Sequence, residues 1–301
     1  RNFVLRRMYE EGFITKEEKE SAQSQPLELK KQFDSMKAPH FVLFVKEQLV
    51  EKYGEQLVDT GGLSVITSLD WEKQQIAEKA VKEQSEKTFE KARANNTALV
   101  AIDPSTGHIL SMVGSRDFYD ETIHGQFNVA TLGKRQPGSS FKPIIYTAAF
   151  EKGYTPETVL FDVKTNFAAS GRPYTPLNYD LQEHGPVTMR QALQGSLNIP
   201  AVKTLHLVGA KDGVDFAERL GYSTLSKGNF GLSLVLGGGE VHLLDHVGAY
   251  SVFANGGRKH NPTAILQVRD SNGNTLDEWK QTAGKRVLNN EVAATISHVL
   301  S

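Results

Sequence analysis

The stretch RQPGSSFKP, residues 135–143, sets a hydroxyl and an amine three positions apart, Ser139 and Lys142. Residues three apart on a helix share a face, whereas residues two apart do not, so Ser139 and Lys142 are neighbours and Ser140 points elsewhere. Pro143 lacks a backbone N–H and fits only in a first turn, so the helix is expected to start about three residues earlier. Ser139 then lies at or beside that turn, its Oγ exposed. Its N–H is free to stabilise an oxyanion, and the helix dipole disfavours protonated Lys142. This is the layout of a serine nucleophile beside its own base.

The base must be neutral to accept a proton. Bringing a lysine from ~10.4 to near 7 costs roughly 4 kcal/mol, and one helix end supplies at most ~2 kcal/mol. Burial and a second positive group are needed for the rest. Taken alone, a serine before a helix is an ordinary cap. Downstream, GSLNIPA offers Ser196 and Asn198, two residues apart, which face the same side of an extended or turning backbone and can both line a cleft. A turn followed by a helix cap explains that pair equally well.

The elements around these residues read as follows. TALVAIDPSTGHILSMVG is a hairpin turning at DPSTG. FKPIIYTAAFEKG is the helix opened by the Ser139 stretch and closed by Gly153. VTMRQALQ and IPAVKTLHLVG are helices on either side of Ser196. VDFAERLGY, VHLLDHVGAYSVFANGG and EVAATISHVL are further amphipathic helices, and ILQVRDSNGNTLDEW is a hairpin turning at Asn272-Gly273. Upstream, Thr15 and Glu18 form a capping box, FVLFVKEQLVEKYG is helical, LSVITSLD is a strand, and Glu72 to Lys91 is the solvated face of a long helix. A hairpin followed by a run of helices gives an α+β class.

Bulk properties exclude much. The 301 residues carry a net charge of −1, which gives no basis for nucleic-acid binding, and no cysteine, which rules out disulfides and thiolate chemistry. Lack of cysteine suits an oxidising compartment outside the cell membrane. No apolar run reaches the roughly 18 residues of a membrane span, and no signal peptide is present. The start at Arg1 and the uncapped helix EVAATISHVLS lead to the expectation of an internal piece of a longer protein.

Ser139-x-x-Lys142 followed by Ser196-x-Asn198 is the ordered signature of serine penicilloyl enzymes. ALVAIDPSTGHILSMVGSRD, KRQPGSSFKP, NYD…HGPVTMRQALQGSLNIPAVK and LVLGGGEVHLLDHVGAYSVFANGG closely resemble class A penicillin-binding proteins, the bifunctional peptidoglycan synthases. RNFVLRRMYEEGFITKEE resembles the tail of their glycosyltransferase module, and KAPHFVLFVKEQLVEKYG with GGLSVITSLD the segment joining the modules. The resemblance implies residues 1–20 as that tail, 21–97 as a linker region, and 98–301 as a transpeptidase domain whose antiparallel sheet is flanked by helices.

It also implies roles. Ser139 attacks the penultimate D-Ala of a stem peptide and Lys142 activates it. Ser196 relays the proton to the departing D-Ala, and Asn198 holds Lys142 and the substrate amide. Ser140, Tyr179 and Gly238 fall on the substrate-binding side. β-Lactams acylate Ser139, and stem peptides and lipid-linked precursors are the partners. The site is extracytoplasmic, with a membrane anchor upstream, and no metal or cofactor is called for. The family's third motif, K-[TS]-G, is absent: Lys164-Thr165-Asn166 and Lys203-Thr204-Leu205 lack the glycine and the setting. In the family that strand follows the position of Ser301, supplying the second positive charge and half of the oxyanion hole. The expectations are a weakly active or inactive fragment and a 98–114 hairpin with a bare edge. A non-catalytic interaction segment and a β-lactamase or β-lactam sensor are the alternatives.

Other constellations are weaker. His242 and His246 are four apart, a metal-site spacing, but no third ligand is suggested and they read as helix-surface histidines. LGGGE, residues 236–240, reads as a flexible turn near the cleft and not as a phosphate loop. Tyr174, Asn178 and Tyr179 lie in a loop that borders the cleft or is plain surface.

Overall fold

The structure is a computed structural model and describes residues 1–27, 36–168 and 173–301. It divides into two compact units, residues 1–39 and 40–301. In the first, helices α1 (Asn2–Glu10) and α2 (Lys16–Ser24) form a pair. Thr15 Oγ1 accepts from the Glu18 N–H and the Glu18 carboxylate accepts from the Thr15 N–H, as the capping box requires. The Arg1 guanidinium ties the pair by donating to the Gln23 and Gln25 carbonyls.

The second unit runs through α3 (Pro39–Tyr53), α4 (Glu55–Thr60), β1 (Ser64–Thr67), α5 (Trp71–Ala92), β2 (Leu99–Ile102) and β3 (Ile109–Val113). Next come β4 (Lys134–Arg135), α6 (Lys142–Glu151), β5 (Val159–Asp162), β6 (Gly185–Thr188), α7 (Met189–Gln194), α8 (Asn198–Val208) and α9 (Ala210–Leu220). The last part holds β7 (Val241–His242), α10 (Leu243–Ala254), β8 (Arg258–Lys259), β9 (Ile265–Arg269), β10 (Thr275–Glu278), β11 (Lys285–Arg286) and α11 (Asn290–Leu300). Every named strand pairs antiparallel: β1-β9-β10 form a three-stranded sheet, and β2-β3, β4-β7, β5-β6 and β8-β11 are ribbons. The α+β class holds.

Helix α6 is the centre of this unit. Its residues from Lys142 to Phe150 are all buried, which is what KPIIYTAAF dictates, since a helix apolar all round has no solvent face. Ala201, Val202 and Leu205 of α8, Val252 and Phe253 of α10 and Ile296 of α11 complete the same core. The 98–114 hairpin is the two-stranded β2-β3 pair, with α5 packed along β3 and α10 against β2. One expectation is corrected in part. The edge of β3 is not bare at Met112, because the buried Gln74 amide donates to the Met112 carbonyl at 3.1 Å and accepts from its N–H at 2.8 Å. A side chain from α5 there does the work of a strand.

Candidate active site

The chain enters α6 through a single 3₁₀ turn, Gly138–Phe141, and the Lys142 N–H donates to the Ser139 carbonyl. Pro143 lies within the first turn of α6, where its missing N–H costs nothing. Ser139 is exposed at this helix mouth and Lys142 is sealed beneath it, 1% exposed. The turn is braced from two sides. Gly237, at φ 85°, comes so close to Gly138 that any β-carbon there would strike the Gly138 backbone, so the LGGGE segment is a packed support in which, of the three glycines, only Gly238 is exposed. From α10, the Tyr250 hydroxyl donates to the Ser140 carbonyl at 2.7 Å, and burial pushes that phenol up to about 12. The Ser140 hydroxyl turns back to the Pro137 carbonyl at 2.6 Å.

Lys142 Nζ has three acceptors: the Ser196 carbonyl at 2.5 Å, Ser196 Oγ at 3.1 Å and Asn198 Oδ1 at 2.8 Å. The sequence-predicted pair S-x-x-K and S-x-N therefore converge on one nitrogen. None of the three acceptors is a carboxylate. Burial dominates, and it brings the ammonium down to about 8. Ser139 and Lys142 share the helix mouth without a hydrogen bond to each other: the Ser139 hydroxyl has none among the described residues, and the amine donates to Ser196 and Asn198. The cause is depth. The amine cannot be left buried without acceptors, and the segment between α7 and α8 supplies three.

Ser196 reaches this position through its backbone. Helix α7 ends in a Schellman motif, in which the Ser196 N–H donates to Leu193 and the Leu197 N–H to Ala192. Its left-handed position, normally glycine, is taken by Ser196 at φ 52°. Strained backbone of this kind concentrates at functional sites. The turn aims both the Ser196 carbonyl and its hydroxyl at Lys142.

Behind Asn198 lies a network that the sequence reading missed. Asn178, read there as cleft border or surface, is 2% exposed. Its Oδ1 accepts from the Asn198 and Ile199 N–H groups, at 2.8 and 3.2 Å, and so caps α8. Its amide donates to both oxygens of the buried Asp162 carboxylate, at 3.0 and 2.8 Å, and to the Gln182 carbonyl. The Asp162 carboxylate also takes the His184 N–H and ring Nδ1, at 3.0 and 2.6 Å. Asn198 Nδ2 donates to the Leu177 carbonyl, which fixes its Oδ1 towards Lys142. Tyr179 stands fully in solvent and has no hydrogen bond to these groups among the described residues.

His246 is not a surface histidine. It is half-buried, its Nδ1 shares a 2.7 Å hydrogen bond with the Tyr222 hydroxyl, and its ring packs against Tyr222 and Tyr250. The four-residue step from His246 to Tyr250 was the available signal for a shared face. His242 lies near the Gly133 carbonyl.

A model of the penicillin-binding protein transpeptidase domain matches residues 97–301. Penicillin-binding protein 2D of Bacillus subtilis is 33% identical over 306 residues, 99% of this chain and 43% of that protein. Penicillin-binding protein 1A of Aquifex aeolicus is 31% identical over 360 residues, 92% of this chain and 48% of that protein. The chain thus spans somewhat under half the length of these relatives. Penicillin-binding protein 1A from Haemophilus influenzae superposes with a TM-score of 0.79, covering 99% of this chain and 62% of that one at 22% identity. PonA1 from Mycobacterium tuberculosis in complex with penicillin V gives 0.74, with 87% and 70% coverage at 23% identity. By the family match over residues 97–301, the chain belongs to the penicillin-binding protein transpeptidase domain family.

Proposed function

We propose that this chain carries the acyl-transfer centre of a peptidoglycan D,D-transpeptidase, with Ser139 as nucleophile and Lys142 as its base. The observation that carries the reading is the state of Lys142: buried, held near 8, and surrounded by acceptors that carry no charge. An ammonium uses all three of these acceptors as donor targets. A neutral amine keeps two N–H groups and one lone pair, so one partner must reverse or leave. Of the three, only the Ser196 hydroxyl can turn round and donate. Losing that contact, or rotating it, frees the lone pair for the Ser139 proton.

The reaction then runs in balanced steps. Ser139 Oγ attacks the carbonyl of the penultimate D-Ala as its proton passes to Lys142. The Ser139 N–H donates to the oxyanion. On collapse, the terminal D-Ala leaves as an amine, taking the proton through Ser196, and an ester remains on Ser139. The amine of a second stem peptide attacks that ester and releases Ser139, forming the cross-link. Asn198 positions Lys142 and the substrate amide, while Ser140, Tyr179 and Gly238 border the bound peptide. A β-lactam acylates the same hydroxyl, a reading supported by the likeness to PonA1 in complex with penicillin V.

We extend the proposal to an extracytoplasmic setting, with residues 1–20 as the tail of a glycosyltransferase module, 21–97 as a linker, and a membrane anchor upstream. The 301 residues contain neither Lys-Thr-Gly nor Lys-Ser-Gly, so we expect slow acylation by this chain alone. The test is covalent labelling with a fluorescent penicillin, read by denaturing gel and intact mass. A label present in the parent and absent in Ser139→Ala supports the reading. Rapid hydrolytic turnover marks a β-lactamase instead. Absence of label, even when the chain is extended through a K-[TS]-G strand, leaves an interaction segment.

A further inference from the structure

A second concave site opens away from Ser139. A cavity of about 650 Å³ lies between the end of α9, the β8-β11 ribbon and residues 279–285. Lys259, Lys280, Lys285 and Arg219 face it, and no acidic side chain does. Arg219 is neutralised by its ion pair with Glu151. None of the three lysines has a hydrogen bond or close ion pair among the described residues, and the Asp245 carboxylate acts on Lys259 only at longer range. That contrasts with exposed lysines elsewhere, such as Lys152, which pairs with Asp212 at 2.5 Å.

A second, independent observation comes from two histidines. His260 lines the cavity and is 8% exposed, yet its ring has no hydrogen-bond partner among the described residues. The ring lies over Gly284, where a β-carbon would come within 2.6 Å of Nε2. Next to it, His108 Nε2 is buried without a partner under Trp279, their ring centroids 4.4 Å apart. Leaving the buried His108 Nε2 unpaired costs about 1–3 kcal/mol, and gathering the ammonium groups adds repulsion. Burial, then Lys285, hold Lys259 below its ordinary range, against the opposing pull of Asp245. That carboxylate is already engaged by the Ser223 N–H and hydroxyl.

We infer that this cavity binds a small phosphate-bearing ligand, its dianion held by Lys259 and Lys285 and its organic part against Trp279. Lysine is a compact point charge with three donors and a common binder of phosphate oxygens. The volume falls in the range of ordinary small-molecule sites. The inference does not depend on the chemistry proposed for Ser139.

The test uses fluorescence. The protein has two tryptophans, so Trp71→Phe leaves Trp279 as the only reporter. The protein is titrated with inorganic phosphate, glucose 1-phosphate and acetate, with chloride at matched ionic strength, and binding heats are measured in parallel. The expected result is saturable binding of glucose 1-phosphate, about tenfold tighter than inorganic phosphate. The double variant Lys259→Ala/Lys285→Ala should lose at least about tenfold in affinity with its melting temperature no lower than the parent's. Equal effects of chloride or acetate, or full affinity in the double variant, overturn the inference. So does heat of binding without a Trp279 response, which places the ligand elsewhere. Equal affinity for the two phosphates removes the contact with Trp279.

Discussion

Lys142 and Lys259 are both lysines drawn partly out of water, and burial pushes both below the ordinary lysine range. They differ in company. Lys142 has three oxygen acceptors, all uncharged, while Lys259 has none among the described residues. A third case completes the contrast: Lys211, fully in water, pairs with Asp215 and is pushed up. An anion locks a proton onto lysine, whereas dipoles hold the amine in place and leave the proton removable. A cage without carboxylates is what a lysine base needs, and a cationic cavity is what an anion needs.

The largest effect should come from removing that base. Lys142→Ala is expected to slow penicillin labelling about a thousandfold. Lys142→Arg should be nearly as slow, because guanidinium does not release its proton. Lys211→Ala should label normally. In the parent, the labelling rate should rise with pH through an inflection near 8. An inflection above 10 would mean that a charge pairs with Lys142. Stability moves the same way. The folded amine holds its proton less tightly than the unfolded one, so the unfolded chain binds more protons between about 8 and 10.5, and stability increases across that window.

The next effect is on stability. Asn178→Ala strips the cap from α8 and two donors from Asp162, a cost of about 3 kcal/mol. Asn178→Asp should cost at least as much, since it sets a second carboxylate against Asp162. Denaturant unfolding measures both, and an Asn178→Ala change under about 1 kcal/mol would sink the cap. This residue also marks the limit of what the sequence disclosed. Ser139 with Lys142, and Thr15 with Glu18, were legible because each pair lies three positions apart at a helix start. The partners of Asn178 are Asp162 and Asn198, 16 and 20 positions away, so only a folded chain brings them together. The apolar string IIYTAAF disclosed that α6 is core. Nothing local disclosed that the turn at Gly237 would press on Gly138, or that the Lys142 amine would donate to the Ser196 carbonyl.

Ser196 separates backbone from hydroxyl. Left-handed geometry costs a non-glycine residue about 1–2 kcal/mol, so Ser196→Gly should relieve strain while removing one acceptor of Lys142. The expected net gain is about 1 kcal/mol, seen as a rise in melting temperature, with slower labelling. Ser196→Ala keeps the strain and loses the same hydroxyl, so it should label as slowly without the gain in stability. Normal labelling in both would remove Ser196 from the proton path.

The smallest effect is at His184. Its hydrogen bond to Asp162 is the main cause of its raised pKa, with Asp180 adding to it against some desolvation. The folded state therefore holds the proton more tightly than the unfolded state. The resulting stability is fully present below about 6.5, the ordinary histidine value, and is lost as pH rises through the folded pKa. His184→Gln should flatten that dependence while leaving the stability at high pH nearly unchanged, as read from thermal melts across the range. An unchanged slope would place the coupling to Asp162 in the backbone N–H of His184 and not in its ring, since that N–H bonds the same carboxylate oxygen. Labelling by the variant then tells whether proton occupancy at this outer residue reaches Asn198 through Asn178, or stops at the carboxylate.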